Sequence, residues 1–565
     1  MNQYDVAVVG LGPTGLTLAH LLGRRGLSVL VLEREPEFYG TARAVYTDDE
    51  ALRVFQTAGV ADDIHADMNV DSVVQWVRAD GSVLVQFRTF DRPLWWPVTN
   101  FLYQPYLETK LEALLDRYPN VEVRRGREVL DFSQDADGVT VLHAGSFGTA
   151  YGKRENVVDH DSTETARASY LIGADGGRSI VRLKLGIDMS GKSFPERWLV
   201  VDLAAKEGVD AFRHLPYFDF VCDPGLPTVS CPQPGGHHRF EFALTDADDT
   251  SEFQADETVR RLIGRYVDVD EVVVDRRLVY TFNALNADRW RDGRILLAGD
   301  AAHMTPQFVG QGMNSGVRDA DNLSWKLEAV LRQGADPRLL DSYESERKPH
   351  TQAMIDFSVF NKSVVSIKSP VKALARNLAM RAAVHTPVLG GWVSSAGMKP
   401  KPRFKRGTHL GLRRRLRGVE GTLAPQPVVR RYDGRTVRLD DALGTGWAVI
   451  GLGIDPRDRL GADLDVWKQV GATFATVFRT GTRPQGTVGD GRRRAGLVDL
   501  EDTTGELTRW LRRHGLRDGQ VLVLRPDKFV FGASSDASVL TSALVEQLGL
   551  DTRAGESQPI TVPAV

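Results

Sequence analysis

The stretch YDVAVVGLGPTGLTLAHLLGRRGLSVLVLER, residues 4–34, predicts the fold of the first part of the chain. Residues 4–9 form a short valine-rich run that predicts a buried strand, and leucines at helical spacing over residues 14–25 predict a helix. Residues 28–32 predict a second buried strand. The stretch therefore indicates a βαβ unit, the building block of doubly wound α/β proteins.

The turn between this strand and helix has glycine in the pattern G-x-G-x-x-G. The first glycine permits a tight turn, the second lets a pyrophosphate approach the backbone, and the third lets helix and strand pack closely. The helix N-terminus would then face the phosphates. A purely structural glycine turn is the alternative, but Glu33 stands where a carboxylate would bind a ribose 2′-hydroxyl. We predict a dinucleotide site formed by Gly10, Gly12, Pro13, Thr14, Gly15, Glu33 and Arg34.

Two later stretches repeat the pattern of an apolar strand that runs into a glycine turn. They are ASYLIGADGGRSIVR, residues 168–182, and GRILLAGDAAH, residues 293–303. We expect the three strands to join one sheet. A flavin dinucleotide is long enough to need contacts at several such turns, so these extra turns favour FAD over NAD as the bound cofactor.

The remainder of the chain divides into regions of different composition. Residues 198–280 cluster β-forming residues between Pro/Gly turns and predict a mostly antiparallel substrate domain. We expect a surface loop at residues 145–167 and helices from residue 314 to about residue 393. Residues 399–418 are rich in Lys and Arg without acids, which favours a linker over a nucleic-acid patch. The predicted domains are residues 1–190 with 281–395, residues 191–280 with part of 70–105, the linker 396–420, and a small α/β domain at 421–565.

Composition excludes several classes of protein. The chain has 565 residues, 42% hydrophobic and 26% charged, with a net charge of −3, so we expect no nucleic-acid partner. The N-terminus lacks a basic and apolar leader, and no run of about 18 apolar residues predicts a membrane span. The two cysteines, Cys222 and Cys231, are too few for a disulfide framework or a zinc site. We predict a cytoplasmic protein without a metal.

The sequence resembles the class A flavoprotein aromatic hydroxylases, which are single-component monooxygenases. The three fingerprints of that class stand here as GLGPTG, ADGGRS and LLAGDAAH. RAVYTDDEALR, GQGMNSGVRDADNLSWKL, WAVIGLG and RPDKFV extend the resemblance over most of the chain. Within the class it is most similar to the branch that hydroxylates 3-(3-hydroxyphenyl)propionate.

The resemblance implies a fold, a cofactor and a reaction. The fold is a Rossmann-like FAD-binding domain of the p-hydroxybenzoate hydroxylase type, interleaved with a mostly antiparallel β substrate domain and followed by a thioredoxin-like α/β domain. The reaction uses FAD, O2 and NADH or NADPH as a transient reductant to ortho-hydroxylate a small phenol through a flavin C4a-hydroperoxide. A tailoring hydroxylase of a larger aromatic polyketide is the alternative. A flavin halogenase would carry a W-x-W-x-I-P signature, which LWWPV is not, and the intact GQGMN turn argues against a flavin-binding sensor.

The resemblance also implies roles for particular residues. Arg43 would lie beside the flavin, Gln104 would be a second flavin contact, and Asp175 belongs to the motif shared by FAD and pyridine-nucleotide binding. In the third turn the implied contacts are Asp300 with the ribitol, Pro306 with the ring, and Gly299, Gly310, Gly312, Met313 and Asn314 with the flavin. The C-terminal domain has no cysteine, which excludes thiol redox chemistry and leaves a structural or homodimer-contact role.

A few other residues are candidates for chemistry. Asp48 and Asp49 precede a predicted helix, and either could act as the general base for the phenol or simply cap the helix. For His303 we favour a role in holding the turn over proton relay. We expect surface positions for His237 and His238, and pocket or packed-loop positions for Trp95 and Trp96. Arg213 and Arg239 are the candidate cations for a substrate carboxylate.

Overall fold

The computed structural model describes residues 3–38, 40, 42–147, 157–244, 250–386, 390–391, 399–411, 418–484 and 496–551. The chain forms two compact units. The first comprises Met1–Arg92, Trp96–Asp321 and Lys348–Lys401, and the second comprises Pro93–Trp95, Asn322–Arg347 and Pro402–Val565. The domain boundaries that we drew from the sequence stay predictions.

The first unit contains an eight-stranded sheet built around parallel strands. In spatial order the strands are β17 (Arg291–Asp292), β18 (Ile295–Leu297), β11 (Val157–Gly173), β1 (Gln3–Val9), β2 (Val29–Glu33) and β8 (Val121–Arg125), with β10 (Val139–Phe147) and β9 (Arg127–Gln134) extending from β11. The three strands expected to share a sheet are neighbours, because β11 lies between β18 and β1. The pairings Val9↔Gly173 and Gly173↔Leu297 align their carboxyl ends, so the three glycine turns emerge side by side.

An antiparallel sheet forms the second layer of the same unit. Its order is β19 (His303–Met304), β16 (Val272–Ala287), β12 (Met189–Ala205), β15 (His237–Ala243), β14 (Thr228–Gln233), β13 (Phe218–Val221), β5 (Val74–Val77) and β6 (Val83–Phe87). Only the β13–β5 pair among these described strands is parallel. The predicted antiparallel region is therefore confirmed, and strands from residues 74–87 complete it. A small sheet joins β3 (Tyr46–Thr47), β7 (Asn100–Phe101) and β4 (Asn69–Val70).

Ten described helices lie wholly or partly in the first unit. They are α1 (Pro13–Arg24), α2 (Asp49–Ala58), α3 (Ala61–His65), α4 (Gln104–Leu114), α5 (Ile180–Lys184), α6 (Thr250–Phe253), α7 (Asp256–Ile263), α8 (Gln311–Arg332), α10 (Pro370–His385) and the C-terminal part of α9 (Asp341–Val365). Helix α8 has one apolar face, on which Val317, Ala320, Leu323 and Leu327 are fully buried. The predicted helical stretch is confirmed as far as His385, and residues 387–389 and 392–398 lie outside the described residues.

The surface loop predicted at residues 145–167 is wrong for most of its length. β10 and β11 form an antiparallel ribbon with the pairs Phe147↔Val157 and Thr140↔Arg167. Residues 148–156 between them lie outside the described residues. The polar composition misled the prediction, because the first half of β11 is largely exposed, and a strand of this kind satisfies its backbone by cross-strand hydrogen bonds with little apolar content.

The second unit contains a seven-stranded mixed sheet. Its order is β21 (Thr436–Arg438), β20 (Val428–Arg431), β24 (Leu497–Asp502), β23 (Thr473–Phe478), β22 (Ala448–Leu452), β25 (Val521–Leu524) and β26 (Val530–Ser534). Its short helices are α11 (Leu439–Leu443), α12 (Pro456–Leu460), α13 (Leu464–Gln469), α14 (Glu506–Arg513) and α15 (Ala537–Leu548). Apolar side chains pack on both faces of this sheet, which makes the C-terminal region an α/β domain, as predicted.

Two general features accompany this fold. Cys222 and Cys231 are buried free thiols. Among the described helices, none is both long and apolar enough to cross a membrane.

Candidate active site

The three glycine turns touch one another in the first unit. A Cβ at Gly10 would lie 2.5 Å from the carbonyl oxygen of Ala174, and a Cβ at Gly299 would lie 2.5 Å from Oγ1 of Thr14. Arg182 donates to the carbonyl oxygens of Gly177 (2.8 Å) and Ala301 (3.1 Å), which ties the second turn to the third. Glycine is therefore required where the turns meet, and the three fingerprints form one site.

The first turn leaves an open helix N-terminus. Gly12 is the N-cap of α1 without a side-chain cap, and a Cβ built on it would meet no atom of the described residues within 4 Å. The turn therefore leaves room beside the N-terminus of α1, where the helix dipole favours an anion such as a pyrophosphate. Glu33 is held in place by the N–H groups of Leu11 (2.7 Å to Oε2) and Glu35 (2.9 Å to Oε1). Each carboxylate oxygen keeps a lone pair for a ribose hydroxyl.

The second turn uses its acid to stabilise itself. Asp175 accepts hydrogen bonds from the Ser179 hydroxyl (2.5 Å) and from the N–H of Val181 (3.2 Å). Burial raises the pKa of this carboxyl, and the bonds from Ser179 and Val181 oppose that shift. Asp175 thus shapes the turn that approaches Gly10.

The third turn presents one carboxylate to an open space. Asp300 is exposed although its neighbours Gly299 and Ala301 are buried, and its side chain makes no hydrogen bond with the described residues. The surrounding protein reduces the hydration of this exposed carboxylate and so raises its pKa, while the charges of His303 and Arg43 oppose that shift. An exposed carboxylate without a hydrogen-bond partner among the described residues fits a polyhydroxyl group such as a ribitol.

His303 holds this turn, as expected. It is fully buried, and its Nε2 donates to Oδ2 of Asp319 at 2.6 Å. The same oxygen accepts the N–H of Gly299 at 3.1 Å. The histidine therefore anchors the turn to α8 through a carboxylate that sequence inspection did not identify.

The residues from Pro306 to Asn314 form the bend that leads into α8. Gly310 has φ of +59°, and a Cβ there would lie 2.7 Å from Cδ1 of Tyr46. Asn314 is fully buried, donates to the carbonyl of Gly310 (2.7 Å) and accepts from the Thr47 hydroxyl (2.9 Å). Its side chain therefore fixes the bend, while a Cβ on Gly312 would meet only the carbonyl of Thr305, at 4.0 Å. Pro306 is buried, and Met313 is half-buried in the first turn of α8.

The backbone around Arg43 is clamped from two sides. The side-chain oxygen of Gln104 accepts the N–H groups of Arg43 and Ala44, and its amide group donates to Glu108. From the antiparallel sheet, Arg239 donates to the carbonyls of Ala42 and Arg43, both at 2.6 Å. Gln104 is thus engaged at both ends by the chain. It positions the backbone of Arg43, whose side chain is exposed and whose charge lowers the pKa of Asp300.

Asp48 and Asp49 differ sharply in environment. Asp48 is the N-cap of α2, where it accepts the N–H of Ala51 at 2.9 Å, and it pairs with Arg318 and with Lys399 (2.9 Å). Burial alone would raise the pKa of Asp48, but these two cations hold it well below its usual range. Asp49 lies 3.9 Å from Lys399, and burial together with the charges of Asp48 and Glu50 raises its pKa to about 7.

The cap interpretation is therefore confirmed for Asp48. Lys399, expected in a linker, instead has only 16% of its side chain exposed and binds this acidic cluster.

Other expectations need correction or refinement. His238 on β15 is fully buried and hydrogen-bonds Ser230 at 2.9 Å, so its predicted surface position is wrong. The alternation of β15 turns this side chain toward the interior. His237 is half-buried and stacks on Tyr103 at a ring distance of 3.8 Å. Arg239 pairs with Asp202 at 2.6 Å, which already balances its charge, whereas Arg213 is exposed.

Trp95 and Trp96 differ in their exposure to solvent. Trp96 is buried and donates to Gln56 at 2.9 Å, so it belongs to a packed loop. Trp95 is 40% exposed.

Sequence inspection missed a polar pair on the antiparallel sheet. Glu241 on β15 accepts a hydrogen bond from the side chain of Gln307, the residue after Pro306. Tyr280 on β16 lies close to Glu241. Burial raises the pKa of Tyr280 well above its usual value, and the charge of Glu241 adds to that shift. The alternation of β15 was the available signal, since it places Arg239 and Glu241 on one face of the strand.

The fold and the three joined turns are those of an FAD-binding enzyme. A family model described as "FAD binding domain" matches residues 3–358, and one described as "HcaD C-terminal domain" matches residues 421–548. The chain is 36% identical over 541 residues to 3-(3-hydroxy-phenyl)propionate/3-hydroxycinnamic acid hydroxylase 2 of Burkholderia vietnamiensis, covering 95% of this chain and 94% of that one. It is 38% identical over 567 residues to the corresponding hydroxylase of Mycolicibacterium smegmatis, covering 99% and 96%.

The chain belongs to this family of FAD-dependent aromatic monooxygenases. Two solved structures share its fold. One is the flavin-dependent monooxygenase PieE in complex with FAD and substrate, with a TM-score of 0.78 and 22% identity, covering 97% of this chain and 99% of that one. The other is aklavinone-11 hydroxylase with FAD and aklavinone, with a TM-score of 0.75 and 24% identity, covering 97% of this chain and 100% of that one. The fold class and the cofactor expected from the sequence are confirmed.

Proposed function

We propose that this enzyme hydroxylates 3-(3-hydroxyphenyl)propionate, or the related 3-hydroxycinnamate, ortho to the phenolic hydroxyl. The observation that carries the proposal is the similarity, over 95% and 99% of the chain, to hydroxylases named for these two substrates. When bound, FAD takes two electrons from NADH or NADPH and passes one oxygen atom of O2 to an electron-rich ring, while the second oxygen leaves as water.

The residues of the three turns would hold the cofactor. We assign the pyrophosphate to the open N-terminus of α1 at Gly12, Pro13 and Thr14, and the adenosine ribose to Glu33. Asp300 would accept hydrogen bonds from the ribitol, because its carboxylate is exposed inside the site and has no bond to the described residues. The backbone of Gly310 to Asn314 would face the pyrimidine edge, where the N-terminus of α8 favours negative charge.

Arg43 and the two side chains that hold its backbone, Gln104 and Arg239, would contribute to the flavin site together. Gln104 and Arg239 fix the backbone at residue 43, so the guanidinium group projects from a rigid support. We assign Arg43 a contact beside the flavin, and we assign Gln104 and Arg239 to positioning it. Gly10, Gly15, Asp175 and Gly299 would shape the turns, and Arg34 would border the adenosine end.

Activity measurements on the purified FAD-containing protein test this function. NADH and NADPH oxidation should be stimulated by 3-(3-hydroxyphenyl)propionate but not by 3-phenylpropionate, which lacks the hydroxyl group. The product should gain one oxygen atom by mass spectrometry, at the ortho position by NMR. Bound FAD without stimulation by any small phenol, but with turnover of a tricyclic or larger aromatic, would favour the tailoring-hydroxylase alternative. We further propose a cytoplasmic enzyme, and sedimentation analysis tests the homodimer expected from the sequence.

A further inference from the structure

Strand β15 sorts its side chains by face. His238, Phe240 and Phe242 point to one side, where Phe240 and Phe242 join a core formed with α7. Arg239 and Glu241 point to the other side. Arg239 there donates to the carbonyls of Ala42 and Arg43, and Glu241 accepts from Gln307. The face that carries Glu241 is therefore turned toward the segments around Arg43 and Gln307, which we assign to the flavin region.

The two strands beside Glu241 place apolar side chains next to it, and part of this face is open. Val229 and Val200 flank it on the neighbouring strands, and Leu278 lies one strand further. Leu278 is 45% exposed, although it projects from a sheet face that packs elsewhere against aromatic side chains. Tyr280 is half-buried, and its hydroxyl makes no hydrogen bond with the described residues. An aromatic ring placed on this floor would lie beside the carboxyl group of Glu241, whereas the carboxylate of Asp202 on the same face is already paired with Arg239 and Arg276.

We propose that Glu241 is the catalytic base that accepts the phenolic proton, an assignment that rests on the proposed hydroxylation of a phenol. The O–H bond of the substrate breaks, its electron pair remains on the phenolic oxygen, and the proton forms a new O–H bond on the carboxylate. The phenolate then has the electron-rich ring that accepts an oxygen atom. Gln307 orients the carboxylate by donating to one of its oxygens.

The charges that face Glu241 suit this role. Burial raises the pKa of Glu241 to about 7, and the negative charge of Asp202 adds to that shift. The positive charges of Arg239 and Arg276 and the hydrogen bond from Gln307 oppose it. Tyr280 and Cys231 also face it, and burial raises the pKa of each well above its usual value, so both are neutral at pH 7. A base is most effective when its pKa lies near the working pH. Asp48, in contrast, is locked between two cations.

Three isosteric variants of the FAD-containing enzyme test the assignment. Glu241→Gln keeps an oxygen for Gln307 but cannot take a proton, and we expect a loss of about 100-fold in kcat with FAD retained. Asp49→Asn removes the rival base. Asp219→Asn is the matched control, because Asp219 lies on the opposite face of the same sheet and burial likewise raises its pKa, to about 6. Turnover of Glu241→Gln within threefold of the wild type would overturn the proposal, as would a larger loss in Asp49→Asn.

A second readout does not depend on turnover. Bound 4-nitrophenol should show the absorbance band of its phenolate in the wild type and in Asp219→Asn at pH 7, and that of the neutral phenol in Glu241→Gln. In the wild type, kcat/KM should rise with pH through about 7, and Glu241→Gln should lose that limb. An unchanged band and an unchanged limb in Glu241→Gln contradict the proposal. If the wild type itself hydroxylates no phenol, the proposed function fails instead.

Discussion

His303 donates from Nε2 to Oδ2 of Asp319 at 2.6 Å, and both side chains are completely buried. That carboxylate oxygen also accepts the N–H of Gly299, so one anion on α8 fixes the turn that carries Asp300. Within one turn, the backbone at Gly299 and the side chain of His303 are thus fixed to α8, and the side chain of Asp300 is exposed. The histidine serves the anchor, and the aspartate remains available to a ligand.

The division of roles predicts opposite effects for two alanine variants. Asp300→Ala should weaken FAD binding about 10- to 100-fold, the loss expected when a charged hydrogen-bond acceptor is removed, with little effect on the apoprotein. His303→Ala should lower the free energy of unfolding by about 1–3 kcal/mol, because Asp319 loses a buried partner, while FAD affinity changes little. Fluorescence titration of the apoprotein with FAD and urea unfolding measure the two quantities. Equal effects of the two variants on FAD affinity would contradict the assignment.

The clamp on Arg43 gives a second prediction. Gln104→Ala leaves the N–H groups of Arg43 and Ala44 without their side-chain acceptor, so the segment should open locally. We expect faster amide hydrogen exchange at residues 43 and 44 and slower reduction of bound FAD by NADH. Gln86→Ala, at an exposed glutamine on β6, is the control and should change neither. Unaltered exchange at Arg43 in Gln104→Ala would show that Arg239 alone holds the segment.

The sequence allowed prediction of those features that depend on local spacing. Gly10, Gly12 and Gly15 are close in the chain, and their turn chemistry is visible without a fold. The role of Gln104 was not visible, because the N–H group it accepts at Arg43 lies 61 residues away. Glu241 was missed for the same reason, since its partner Gln307 is 66 residues distant. Contacts of this kind follow from sheet register and packing, which no single segment specifies.

The second unit contains a buried charge network that predicts pH-dependent stability. Glu346 pairs with Arg525 through both oxygens (2.7 and 2.8 Å) and with Lys326 at 2.8 Å, and all three side chains are fully buried. Burial alone would raise the pKa of Glu346, but the two cations hold it well below its usual range. Because the folded pKa is depressed, the stability from this group is complete above the unfolded pKa of about 4.3 and is lost as pH falls below it.

Glu346→Gln should therefore lower the free energy of unfolding by about 3–5 kcal/mol at pH 7, because two buried cations lose their shared anion. Its stability should also decline less steeply than that of the wild type as the pH is lowered below about 4. Thermal unfolding between neutral and acid pH measures both effects. Glu546→Gln, at an exposed glutamate of α15, should match the wild type throughout. Parallel acid limbs in Glu346→Gln and the wild type would show that the network does not control acid stability.

Two glycines of the first turn separate ligand binding from folding. A Cβ at Gly15 would lie 2.0 Å from the carbonyl oxygen of Gly10, so Gly15→Ala must displace backbone, and we expect a loss of stability of about 3 kcal/mol or more. Within the described parts of the chain, a Cβ at Gly12 meets no atom within 4 Å, and the φ of −73° at this residue suits alanine, so Gly12→Ala should leave the apoprotein as stable as the wild type. Its methyl group would project instead into the space assigned to the pyrophosphate, so FAD affinity should fall at least tenfold, by about 1.4 kcal/mol. Urea unfolding of the apoproteins and titration with FAD distinguish the two variants. Normal FAD binding by Gly12→Ala would place the pyrophosphate elsewhere.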